Sequence, residues 1–197
     1  MKISKDAKIA VFVVSLLVID QLIKILVKTN MQIGEEISVI GNWFRLLFIE
    51  NNGFAFGMQL GGSVGKFILS AGRIVIIVAL AIYIRTLVRR ENTPTGVLVG
   101  LSLILAGAIG NIIDCVFYGW IFGYAPIMFG RVVDMFYFPV IDTTLPSGFP
   151  FWGGRHIIFF RPIFNFADSC ITCGAIYIVL FKWRFFAASG KTESAEK

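Results

Sequence analysis

The chain has 197 residues, of which 57% are hydrophobic, 15% aromatic and only 15% charged. A soluble domain is about half apolar and about a quarter charged, so this composition excludes an ordinary water-soluble fold and fits one integral membrane domain over residues 1–197. The formal charge of +6 does not make a nucleic-acid surface, because the lysines and arginines are dispersed and fall mostly at the ends of apolar segments.

The chain opens with Lys2, Lys5 and Lys8 ahead of an apolar run. A secretory signal has that outline, but no small-x-small cleavage site follows. About 20 residues cross the hydrocarbon core, so residues 8–28 are predicted as the first transmembrane helix. Asp20 and Lys24 are four apart within it, hence on one face and able to pair. Two readings stay open: an ion pair that lets two interior charges coexist, or a pair that orients a site at the outer end of a bundle. Residues 29–66 are mixed. Ile37-Ser38-Val39-Ile40 and residues 43–49 have strand character, and Asn51-Asn52-Gly53 is a turn signal. With Gly61, Gly62 and Gly65 after them, they predict a small extramembrane sheet with a mobile flap.

Residues 67–88 are the second predicted span, bounded by Arg85, Arg89 and Arg90, with Thr93 or Thr95 as a cap for the next helix. The third, residues 96–117, carries Gly100, Ala106, Gly107, Ala108 and Gly110, small residues that permit close helix approach. Asn111 and Asp114 lie on one face at its far end. A long aromatic, Gly- and Pro-containing loop over residues 118–162 includes Asp134. The fourth span, residues 162–184, holds Asn165 and Asp168 near its start, and residues 187–197 form a polar tail expected to be disordered. Cys115, Cys170 and Cys173 lie in or beside apolar segments and read as small buried residues.

Basic residues set the orientation. Lys2, Lys5, Lys8, Arg85, Arg89, Arg90, Lys182 and Arg184 gather on the side of both termini, which the positive-inside rule places in the cytoplasm. Asp20, Asn51, Asn111, Asp114, Asp134, Asn165 and Asp168 then all fall toward the outer half, which points to a site at the outer membrane–water boundary.

Asp134 and Asp168 carry the chemistry. Both sit in apolar surroundings, and no Lys or Arg neighbours Asp168 in the sequence. A carboxylate in hydrocarbon costs about 2.5–3.5 kcal/mol on insertion scales. Two carboxyls close together cannot both ionise cheaply, so one keeps its proton and the pair offers an acid and a base at one pH. Such a pair can activate water against a carbonyl without a covalent intermediate. A zinc hydrolase needs a His-Glu-x-x-His pattern, which is absent, and the one histidine, His156, reads as a solvated loop residue. A sparse set of carboxylates inside helices also suits an ion- or proton-coupled transporter, the reading kept as the alternative.

Five motifs in order carry a resemblance across nearly the whole chain. They are Asp20-Gln21-x-x-Lys24, Asn51-x-Gly53-x-Ala55-Phe56-Gly57, Gly107-Ala108-x-Gly110-Asn111-x-Ile113-Asp114, Val132-Val133-Asp134 and Phe164-Asn165-x-Ala167-Asp168-Ser169. The chain resembles the lipoprotein signal peptidase (signal peptidase II) family of intramembrane aspartyl proteases. The resemblance implies an all-α membrane fold of four helices with a small extracytoplasmic β-cradle and flap, working as a monomer in the bacterial inner membrane without metal or cofactor. Its implied substrate is a diacylglyceryl-modified prolipoprotein, cut before the lipidated cysteine. Membrane lipid is an implied partner, and cyclic peptide antibiotics are the implied inhibitors. By the same resemblance Asp134 and Asp168 are the catalytic pair. Asp20, Lys24, Asn51, Gly53, Asn111, Asp114 and Asn165 shape or support the site.

Two departures from the family pattern stand out. An arginine usually follows the third-helix aspartate, and here Cys115 stands there, with Arg131 as a candidate replacement. The two aspartates are 34 residues apart, a long spacing that includes an insertion over residues 138–162. A tolerated surface loop and an extra lid over the lipid-facing entrance are both open readings of it.

Overall fold

The structure is a computed structural model and describes residues 4–52, 62–90, 92–139, 141–159 and 162–187. Gly53, most of the expected flap and the polar tail lie outside the described residues. Four helices are long and apolar enough to cross a membrane: α1 Lys5–Asn30, α2 Gly62–Arg89, α3 Thr95–Ile121 and α4 Phe166–Ala187. They are the four predicted spans, with shifted ends.

The shifts have local causes. Gly62 and Gly65, expected in a loose segment, are the first turns of α2. Pro94, not a threonine, occupies the N-cap of α3. Thr93 instead turns back, its Oγ1 donating to the Leu87 carbonyl at 2.7 Å and closing α2. The fourth helix begins at Phe166, because Ile163–Phe164 is drawn into the sheet and Asn165 becomes the cap.

Helix α3 is the spine. Over its most apolar window 56% of the residues are buried, against 17% or less in the other three, which leaves those helices turned largely outward. It packs on α1, α2 and α4. Glycine makes this approach close, since a Cβ at Gly107 would run into the Ala167 carbonyl and one at Gly174 would meet the Gly100 carbonyl at 2.6 Å. Residues Asp114–Tyr118 widen into a π-helical turn, a device often found where a helix carries function. The returning chain covers that turn, with Gly130 N–H donating to the Cys115 carbonyl at 2.8 Å and Met128 N–H to that of Val116 at 3.0 Å.

A four-stranded antiparallel sheet caps one end of the bundle, in the order β1 Glu36–Ile40, β2 Phe44–Asn51, β3 Val132–Tyr137, β6 Ile163–Phe164. Asp134, expected in a loop, is therefore on a strand. Strand side chains alternate. Val133 and Met135 point into a cluster with Val27, Phe48 and Tyr118, which roots the sheet on the bundle, and Asp134 points the other way. The insertion is a hairpin, β4 Ile141–Thr144 paired with β5 His156–Phe159. His156 is thus a strand residue rather than a loop residue. Among the cysteines, Cys115 and Cys170 are buried, but Cys173 is exposed, against the reading from the sequence.

Candidate active site

Two polar clusters meet where the sheet joins the helices. The first is an ion cluster on α1 and α3. Lys24 Nζ lies 3.0 Å from Asp20 Oδ2 and 2.8 Å from Asp114 Oδ2, and all three side chains are almost fully buried. The remaining oxygens are also served. Gln21 Nε2 donates to Asp20 and Asp114 at 3.1 Å each, and the Ala167 N–H at the start of α4 donates to Asp20 Oδ1 at 2.9 Å. Val133 N–H, next to Asp134 on β3, donates to Asp114 Oδ2 at 3.3 Å, and Tyr118 Oη donates to Gln21 Oε1 at 3.0 Å. Gly110 is required here, because a Cβ would stand 2.6 Å from Asp20 Oδ2. The cluster thus fixes the start of α4 and the middle of β3 against the bundle. In it the Asp20 and Lys24 charges pair and neutralise each other, the first of the two sequence readings.

The second cluster joins Asp134 and Asp168 through asparagines. Asn165 caps α4: its Oδ1 accepts from Asp168 N–H at 2.9 Å, and Asp168 Oδ2 accepts from Asn165 N–H at 3.2 Å, a reciprocal capping box. Asn165 Nδ2 then donates to Asp134 Oδ1 at 2.7 Å and to Asn111 Oδ1 at 3.1 Å. Asn111 Nδ2 donates to Asp168 Oδ1 at 2.7 Å, and its Oδ1 accepts from Lys24 Nζ at 3.0 Å. Asn111 is therefore the bridge between the clusters. Asn51 reaches Asp134 from β2. It pairs with Val132, so it shares a sheet face with Asp134 two positions along, and it hydrogen-bonds that carboxyl.

Burial pushes the Asp134 carboxyl up to about 7, helped by the nearby Asp168 charge and opposed by the Asn165 hydrogen bond, the Lys24 charge and the Asn51 hydrogen bond. Asp134 is only 3% exposed, whereas Asp168 is half-buried and opens on a cavity of about 230 Å³. Among the described residues no three His, Cys, Asp or Glu side chains group as a metal site.

The Arg131 side chain pairs with Glu50. Its Nη1 is 3.2 Å from Glu50 Oε2, it stacks on Tyr124 at 5.6 Å, and Glu50 also pairs with Lys28. The guanidinium next to Cys115 comes from Arg73 on α2, with Nη1 3.9 Å from Sγ. Arg73 also lines the Asp168 cavity, so Asp168 has a basic residue near it in space that its sequence neighbours do not include. The sequence reading passed over Arg73, although a charge in the middle of an apolar span is itself a signal. Tyr118 and Glu50 were also missed, and neither stands out by residue type or spacing.

A protein-family model described as signal peptidase (SPase) II matches residues 12–184. The chain belongs to the signal peptidase II family. It is 46% identical over 187 residues to the lipoprotein signal peptidase of Porphyromonas gingivalis, covering 87% of this chain and 81% of that one. With the lipoprotein signal peptidase of Amoebophilus asiaticus it shares 40% over 173 residues, 84% and 73% of the two chains. A solved structure of a bacterial membrane enzyme superposes with a TM-score of 0.64 at 27% identity, covering 98% of this chain and 94% of the other. Membership makes the chain a multi-pass membrane aspartic protease and leaves the transporter reading without support.

Proposed function

We propose that the chain removes signal peptides from diacylglyceryl-modified prolipoproteins, cutting before the lipidated cysteine, with Asp134 and Asp168 as the catalytic pair. The observation that carries this reading is the asparagine-linked arrangement of the two carboxyls, one of them pushed up to about 7 by burial. Asp134, the deeper group, holds the proton and gives it to the scissile carbonyl. Asp168 lies in the first turn of α4, where peptide dipoles favour negative charge, and it faces the cavity. It takes a proton from the attacking water. The tetrahedral diol then collapses, a proton passing to the leaving nitrogen, with no covalent enzyme intermediate. Asn165, Asn111 and Asn51 hold the pair in register. Asp20, Lys24 and Asp114 hold the two backbone segments that carry it, and Gly53 follows the strand bearing Asn51.

The protein acts with both termini in the cytoplasm and the site near the outer face of the membrane. The support is the basic set Lys5, Lys8, Arg85, Arg89, Arg90, Lys182 and Arg184, at the helix ends away from the sheet. Cyclic peptides that fill the site compete with substrate.

The test is a purified assay on a diacylated lipobox peptide beside its unlipidated twin. Rapid cleavage of the first and slow cleavage of the second is the expected result. Equal turnover of both would overturn lipid-dependent recognition. Full activity of Asp134→Asn or Asp168→Asn would overturn the assignment of the pair.

A further inference from the structure

We propose that Arg73 is a substrate-binding residue that holds main-chain carbonyls of the peptide beside the scissile bond, across the cavity from Asp168; this rests on the peptidase reading above. The cavity lies between three helices. Arg73, Ile76 and Ile77 line it from α2, Ala108 and Asn111 from α3, and Asp168 and Ile171 from α4. The spacing of three and four residues on each helix turns these side chains to one face. Most of the wall is aliphatic and suits an apolar segment arriving from the hydrocarbon. The polar part is the Arg73 guanidinium, the Asp168 carboxyl and the Asn111 amide that donates to it.

The chemistry of the incoming chain calls for such a group. A peptide bond can be cut only when the segment around it is extended, and its carbonyls then lack helical partners. Away from water an unpaired carbonyl is costly. Asn111 Nδ2 is already given to Asp168 at 2.7 Å. Among the described residues lining the cavity, Arg73 is the only cation. Its guanidinium carries five donors in a rigid fork, so it can keep a protein contact and still serve carbonyl oxygens. One nitrogen of the fork touches the π turn of α3, with Nη1 3.9 Å from the Cys115 sulfur. That contact motivates a swap, since position 115 is the one whose side chain touches the Arg73 guanidinium.

Binding of a diacylated lipobox peptide to the Asp134→Asn protein, which does not consume it, is the primary measurement. Adding Arg73→Gln is expected to weaken binding ~10–100-fold, the range for hydrogen bonds to a charged donor. In the active protein the same change raises KM more than it lowers kcat. Arg73→Lys keeps the charge without the fork and falls between the two. Arg73→Ala with Cys115→Arg recovers most of the affinity that Arg73→Ala alone loses, which a packing role for Arg73 would not produce. Thermal unfolding of each variant confirms that it is folded, and the lysine and relocated variants retain the test if the glutamine protein is unstable. Binding within two-fold of the parent after Arg73→Gln, or a relocated variant no better than Arg73→Ala, overturns the proposal. So does an equal loss for a diacylglyceryl thioether with no peptide, because that assigns Arg73 to lipid. Absence of cleavage by the parent chain, with Arg73-dependent peptide binding intact, would instead remove the peptidase reading and with it the scissile bond, leaving Arg73 as a peptide-binding residue only.

Discussion

The ion cluster and the aspartate pair are neighbours joined by one asparagine, yet they treat buried carboxyls in opposite ways. In the cluster, Lys24 touches both Asp20 and Asp114, and amide, tyrosine and backbone donors complete the set. Charge meets charge, and the result is a rigid joint. Around Asp134 and Asp168 the bonded side chains named above are amides: Asn165, Asn111 and Asn51 supply shape and hydrogen bonds, and the Lys24 charge reaches Asp134 only from the neighbouring cluster. A carboxyl left in that condition holds its proton toward neutral pH, as Asp134 does at about 7. The same residue type is locked in an ion cluster in one place and held by amides beside a cavity in the other, and what is bonded to it makes the difference.

If that contrast is right, the two clusters should fail differently. Asp134→Asn and Asp168→Asn each remove a reacting group while keeping its outline. Cleavage of the lipidated peptide is expected to fall ~10³-fold or more, with the thermal unfolding midpoint little changed. Lys24→Met acts on the other side of the comparison, leaving Asp20 and Asp114 buried without their partner. The expected loss is about 3–5 kcal/mol of stability, read by unfolding in detergent, and adding Asp20→Asn and Asp114→Asn should return much of it.

The pH profile sharpens the pair itself. A raised carboxyl keeps its proton up to about 7 and loses it above, so the acid role disappears on the alkaline side. Hydrolysis should therefore decline as pH rises through about 7, approaching ~10-fold per unit, with the limb belonging to the coupled pair rather than to one residue. The asparagines come next. Asn165→Ala, which unties Asp134 and uncaps α4, should cost about 10-fold in rate or somewhat more, and Asn51→Ala less, since each removes a hydrogen bond and not the reacting group. Arg131→Ala should stay within about 3-fold, because its Glu50 pair is part-exposed and such pairs contribute about 0–1 kcal/mol. A large loss there would mean that the polar rim beyond the two clusters takes part in turnover.

The amino-acid sequence by itself determined the four spans, the two strands before the second of them, and the polar residues that gather at one end. Long apolar runs have few alternatives in a membrane, and charges placed within them are costly enough to stand out. The five motifs made the family resemblance legible as well. What only the tertiary structure decided depends on contacts between elements. Asp134 is a strand residue because β2 lies beside it, and α4 starts at Phe166 because the two residues before its cap pair with β3. Asn111 bridges the clusters because Gly107 lets α4 lie against α3. The guanidinium near Cys115 comes from Arg73, more than 40 positions earlier in the chain. Periodicity describes how one element faces its surroundings, and it carries no information on which distant side chain fills the space opposite.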